Sequence, residues 1–183
     1  MTDFMSPFPQ LKKICAGRWK LWEQQLAKEV GGEVPHLQSY LPMWLRKNSV
    51  TVKVPPFWFD LAEYEWSVHF VREADHEVVK PGPLLSSDLL RVNPFIRILK
   101  LSYDIKGWIH SGALGEPKTK AHMMVITGKA RFEASFDFAA IIDELQDGPL
   151  TREDLEKNLI GKIGPRDWTA PILTLYNGGG ILK

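Results

Sequence analysis

Five histidines carry much of the side-chain chemistry in this 183-residue chain: His36, His69, His76, His110 and His122. No pair of them has the spacing of a helical zinc motif. Glu65 and His69 stand four residues apart on one predicted helix, so both fall on one face. Such a pair can ligate a metal, share a proton or make a structural hydrogen bond. The structural use is the expected one, because paired groups often serve packing. Asp75-His76-Glu77 lies in a polar stretch and is expected to be solvated. His122 precedes a predicted strand and can face either side.

Other catalytic patterns are missing from the sequence. There is no nucleophile elbow, P-loop or dinucleotide fingerprint. Gly178-Gly179-Gly180 follows a predicted helix, whereas a phosphate-binding loop precedes one, so the run reads as a helix terminator. Asp143-Glu144 and Glu153-Asp154 read as surface charge. Cys15 is the one cysteine, so no internal disulfide or thiolate cage can form. It sits on an apolar stripe and is expected to be a buried, inert thiol. No catalytic residue, metal ligand or cofactor is assigned to this chain.

The elements that would position these groups fall into two expected parts, a helical lobe over 1–83 and an α+β lobe over 84–183. Leu11, Ile14, Cys15, Trp19, Trp22, Leu26 and Val30 recur at helical spacing from Pro9 to Gly31-Gly32, predicting one long helix. A shorter helix follows Pro35, with Pro42 expected to kink or interrupt it. Val50, Val52 and Val54 alternate like a short strand before Pro55-Pro56. A third helix runs from Pro56 to about Ala74, with apolar residues on more than one face. Asp75 to Pro83 reads as a loop.

In the second part, Leu89–Val92 and Phe95–Ser102 read as strands, and Asp104–His110 as a helical turn. Met123–Thr127 and Arg131–Phe136 form the clearest hairpin, around Thr127-Gly128-Lys129. Helices follow, one capped by Asp137, one opened by Thr151 with Asp154 three residues on, and one over roughly Pro165–Tyr176. Ile181-Leu182 can return as a strand.

Seven tryptophans are the compositional oddity. Indoles bury large areas and are enriched at protein contacts, and most are expected in a core. Net charge is +1. From Lys118 onward nine cationic and nine acidic residues cancel. A duplex-DNA binder usually carries a basic face, so nucleic acid is not the expected partner. The N-terminus lacks a charged segment followed by an apolar run, and no apolar stretch approaches membrane-spanning length. The expected compartment is the cytoplasm.

From about 121 to 183 the predicted order is two strands, three helices and a short strand, a winged-helix-like arrangement. It allows DNA reading by the third helix, as in a transcriptional regulator, or capture of a peptide as an added strand. Phe138-x-x-Ile141-Ile142-x-x-Leu145 followed by Asp147-Gly148-x-Leu150-Thr151-x-x-x-Leu155 resembles the PqqD-like leader-recognition domains of ribosomal peptide maturation. Pro56-Phe57-Trp58-Phe59-Asp60-Leu61-Ala62-Glu63-Tyr64-Glu65-Trp66 resembles the P-x-x-x-D-L-A-x-x-E-W helix of the HvfC family. Ala74-Asp75 resembles that family's following A-x-D step. Asn93-Pro94 within Val92–Leu99, and Trp108 within Ile105–Ile109, are similar to its next strand and its tryptophan-bearing turn. The resemblance covers roughly Pro56 to Leu182. Typical members carry a longer N-terminal helical domain than this chain has room for, and its proportions look most like the methanobactin-biosynthesis members.

That resemblance implies a non-catalytic subunit that forms a heterodimer with a TIM-barrel iron oxygenase and helps bind the leader of a precursor peptide, in a pathway of copper acquisition. The iron would belong to the partner. The implied fold is α+β, with an N-terminal helical lobe, a small sheet and a C-terminal winged-helix, PqqD-like unit. The candidate peptide-binding residues are Met123, Met124, Val125 and Ile126 on one strand, Arg131 and Phe132 on the next, and Trp168 and Ile172 lining a groove. The candidate partner surface is Trp58, Tyr64, Trp66, His69 and Trp108. Packing of the small domain is an equal reading of the apolar ones.

Overall fold

The computed structural model describes residues 3–74 and 82–183; the polar stretch over 75–81, with Asp75, His76 and Glu77, lies outside the described residues. The class is α+β. In chain order the elements are α1 (Pro9–Ile14), α2 (Trp19–Val30), α3 (Val34–Lys47), α4 (Ser49–Val52), α5 (Phe57–Ala74), β1 (Leu89–Val92), β2 (Arg97–Tyr103), α6 (Ile105–His110), β3 (Thr119–Ile126), β4 (Arg131–Glu133), α7 (Phe136–Gln146), β5 (Leu150–Thr151), α8 (Arg152–Ile163), α9 (Thr169–Asn177) and β6 (Ile181–Leu182). The strands form two three-stranded sheets, β5-β1-β6 and β2-β3-β4.

By contact the chain divides into two compact units, Met1–Phe70 with Lys100–His122, and Val71–Leu99 with Met123–Lys183. Strands β2 and β3 each run from one unit into the other.

The first unit is built on α5. Leu61 and Ala62 are fully buried, and Phe57, Trp58 and Tyr64 nearly so. The helix is therefore enclosed on adjoining stripes, as its aromatic pattern predicts. Phe57 makes edge contacts with Tyr103 and Trp108, at ring-centroid distances of 6.2 and 5.6 Å, and Trp22 packs on Trp58 at 5.8 Å. Trp44 and Leu45 of α3 add to the same core.

Five local expectations are corrected. The helix expected from Pro9 to Val30 is two helices, because Ala16 and Gly17 both take positive φ, 47° and 86°. Two left-handed residues cannot continue a right-handed helix. Pro42 lies inside an uninterrupted α3. The valine alternation is a helical turn, α4, ended by Lys53 in the left-handed region. The cap of α7 is Ser135, whose hydroxyl accepts from Phe138 N–H; Asp137 sits in the first turn. The last helix begins at Thr169, four residues after Pro165.

The second unit has one apolar core. Leu90, Val125, Ile141, Leu155, Ile172, Leu175 and Ile181 are completely buried in it. Strand β1 is central to its sheet, pairing antiparallel with β5 (Leu90 opposite Leu150) and with β6 (Val92 opposite Ile181). Thr151 caps α8 by accepting from Asp154 N–H and donates its hydroxyl to the Asp154 carboxylate at 2.6 Å. Among the described residues no helix is long and apolar enough to cross a membrane.

Candidate functional site

In the β2-β3-β4 sheet, β4 is one of the two terminal strands. It is held by β3 with Met124 opposite Glu133, Val125 opposite Phe132, and Ile126 opposite Arg131. Met124, Val125 and Ile126 are buried, Met123 is half-buried, and Trp168 and Ile172 are buried in the core of this unit. Arg131 and Phe132 are half-buried. The structure therefore brings Val125, Trp168 and Ile172 together as core, with Phe132 packed against that core. What β4 offers at its rim is its own strand with the flanks of Arg131 and Phe132.

The turn before β4 is fixed to the end of α9. Thr127 donates its hydroxyl to Gly178 carbonyl and accepts from Lys129 and Ala130 N–H at 3.1 and 2.8 Å. Asn93 donates its side-chain amide to Gly179 carbonyl at 2.9 Å, and its backbone N–H to Gly180 carbonyl at 3.1 Å. The three-glycine run ends α9, as its position predicts, and it also receives the hairpin turn and the end of β1. Sequence spacing gave no sign of this, because the donors lie about 50 and 86 residues away.

Three further residues near β4 were not among the expected site residues. Phe138 packs edge-on against Phe132 at 5.3 Å. Phe136, at the start of α7, is 67% exposed. Arg166 lies over the Trp168 and Phe136 rings at 4.3 and 5.6 Å and pairs with Asp137 at 2.7 Å. The Ser135 cap was the available signal, since it fixes Phe136 as the first residue of α7.

In the first unit the expected partner surface divides by depth. Trp58, Tyr64 and Trp108 are buried, and Trp66 and His69 are half-buried. Trp66 stacks on Phe8 at 6.2 Å and has His69 at 5.6 Å.

Two carboxylates of α5, Glu65 and Asp60, serve backbone. Glu65 accepts the N–H groups of Gln10 (2.7 Å) and Leu11 (3.1 Å), one on each oxygen. These are the second and third residues of α1, whose first is Pro9 and whose N-cap supplies no side-chain acceptor. Glu65 thus closes the open N–H groups of a distant helix. Burial is the main cause that lifts its pKa to about 7, against the opposing pull of the two N–H groups. Asp60 accepts from Ser102 and Tyr103 N–H at 2.5 and 3.1 Å. Arg46 pairs with Glu63 at 3.0 Å and lies 3.9 Å from Asp60. Burial raises the Glu63 and Cys15 pKa values above their ordinary ranges. Both Glu65 oxygens are thus engaged by backbone, while His69 meets Trp66. Among the described residues no group of three or more histidines, cysteines and acids is placed to hold a metal ion.

No protein-family model matches this chain, and no curated protein matches it.

Proposed function

We propose that this chain is a non-catalytic subunit of a peptide-modifying complex. In this reading it is similar to MbnC, which pairs with the iron-dependent TIM-barrel oxygenase MbnB and helps bind the precursor MbnA, so that cysteines of the peptide become oxazolone–thioamide groups. The iron is the partner's, and the compartment is the cytoplasm. The observation that carries the reading is β4, a three-residue strand at the end of a sheet, with Phe132 seated on the end of α9. An extended leader adding to β4 gains affinity from main-chain hydrogen bonds and register from alternate side chains. Half-buried Phe132 and exposed Phe136 supply apolar contact beside it. The tethered core of the peptide is then presented to the partner's iron at raised effective concentration.

Transcriptional regulation through the third helix is the competing reading. Helix α9, Thr-Ala-Pro-Ile-Leu-Thr-Leu-Tyr-Asn, carries no cationic side chain, which favours the peptide over DNA, whose binding is dominated by phosphate neutralisation.

The test is amide hydrogen exchange on the complex with and without leader peptide. Protection gained over 131–133 when leader is added supports the reading. Unchanged exchange there, together with a salt-dependent shift of duplex DNA by the isolated chain, turns the assignment to a regulator.

A further inference from the structure

Residues 3–15 form a segment of the first unit that ends at an exposed turn. In that turn Ala16 and Gly17 take φ of 47° and 86°, and nothing stands within 4 Å of a Cβ built on Gly17. The segment packs through Phe4, Met5, Phe8 and Leu11, all at most 2% exposed. Phe8 stacks on Trp66 of α5 at 6.2 Å. Among the described residues, and beyond the turn itself, its hydrogen bonds to the rest of the unit come from two side chains. Gln38 of α3 donates to the carbonyls of Asp3 (3.2 Å) and Phe4 (3.1 Å). Glu65 of α5 accepts from Gln10 and Leu11. Apolar packing is non-directional, so these two side chains are what fix the segment in place.

We propose that residues 3–15 are a latch that swings on the Ala16–Gly17 turn, with Glu65 as its proton-operated catch. With the latch closed, Glu65 is 6% exposed. Burial outweighs the pull of the two N–H groups and of the Lys13 cation, so the carboxyl keeps its proton up to about 7. With the latch open, the same carboxyl stands in water and ionises near its ordinary value of 4.5. The open form therefore binds fewer protons between these values, and rising pH favours opening. The other charged groups on the packed elements are engaged elsewhere. Lys12 pairs with Asp3 inside the segment at 2.6 Å. On α3, uncharged Gln38 meets the segment, while Arg46 lies by Asp60 and Glu63 of α5. His69 of α5 packs on Trp66. The two ionisation points set an opening equilibrium that climbs about seventyfold from pH 5 to pH 8. Four buried apolar side chains keep the closed form dominant throughout, so pH tunes how often Trp66 and the underside of α1 are uncovered.

Cys15, the one cysteine and 1% exposed, moves with the latch and reports its opening. The test is the rate at which a methanethiosulfonate labels Cys15 in the native full chain, divided at each pH by the rate for the urea-unfolded chain. This ratio should rise about seventyfold from pH 5 to pH 8. In Glu65→Gln, checked for an unchanged circular dichroism spectrum, it should stay level. Gln38→Ala removes the other hold and leaves the catch. It should raise the ratio about tenfold at every pH and keep the wild-type slope. Amide exchange on the same samples locates the event: protection should fall over 8–15 and hold over α5 and α8. The proposal is overturned by a pH-independent ratio in the wild-type chain, or by the same rise in folded Glu65→Gln. Loss of protection over α5 or α8 in step with α1 also overturns it, because the opening would then be unfolding of a whole unit.

Discussion

Phe132 of β4 rests on Gly178 at the end of α9, so closely that a Cβ on Gly178 would stand 2.9 Å from Phe132 Cε1. The same Cβ would lie 3.0 Å from the Thr174 carbonyl oxygen. Gly178 has φ of −76°, an ordinary helical conformation, so alanine meets a steric conflict there and no backbone strain. Gly178→Ala should displace Phe132 and lower stability by about 1–3 kcal/mol, the usual cost of overpacking. Thermal unfolding reads the loss, and leader affinity should fall with it if β4 is the docking edge. A melting temperature equal to wild type would mean that Phe132 yields freely.

Thr127 joins the hairpin turn to that same helix end through one hydroxyl. Thr127→Val keeps the shape and leaves Gly178 carbonyl and the turn N–H groups without this partner. The expected loss is about 1–3 kcal/mol in urea unfolding. Thr127→Ser retains the hydroxyl and should recover most of it.

Asp60 anchors α5 to the backbone of Ser102 and Tyr103 while 4% exposed. Asp60→Ala strands two backbone donors and should cost about 2–4 kcal/mol, measured by denaturant unfolding. Asp60→Asn keeps one acceptor oxygen and should cost less. Equal losses in the two variants would show that packing, and not hydrogen bonding, is what matters at this position.

Glu65 should make stability depend on pH. Its carboxyl holds its proton up to about 7 in the fold, while an unfolded chain releases it near the ordinary carboxyl value. The folded state therefore binds more protons in between, and the stability this group confers is lost as pH rises through about 7. The full span is on the order of 3 kcal/mol. Denaturant titrations at pH 5 and pH 8 should show the decline. Glu65→Gln, which cannot ionise, should flatten it while weakening the hold on α1.

Much of the fold was legible because local patterns decide it. The aromatic stripes of Phe57–Ala74 gave α5, and Thr151 with Asp154 marked the start of α8. The misread places are those where backbone angles overrule side-chain pattern. The apolar stripe runs straight through Ala16-Gly17, yet two positive φ values divide the helix there. Val50, Val52 and Val54 alternate, yet their segment includes a helical turn that stops at left-handed Lys53. The candidate site was less legible. Spacing paired Glu65 with His69, four residues away, whereas its partners Gln10 and Leu11 lie more than fifty residues distant. Likewise, nothing local links Thr127 to Gly178.

The central claim is that this chain works as a partner subunit, and co-purification tests it most directly. The tagged chain would be co-expressed with an MbnB-type TIM-barrel iron oxygenase and purified through the tag. The account predicts a stable one-to-one complex with iron retained in the oxygenase. Elution of this chain alone, from cells that contain well-expressed and folded oxygenase, would contradict it.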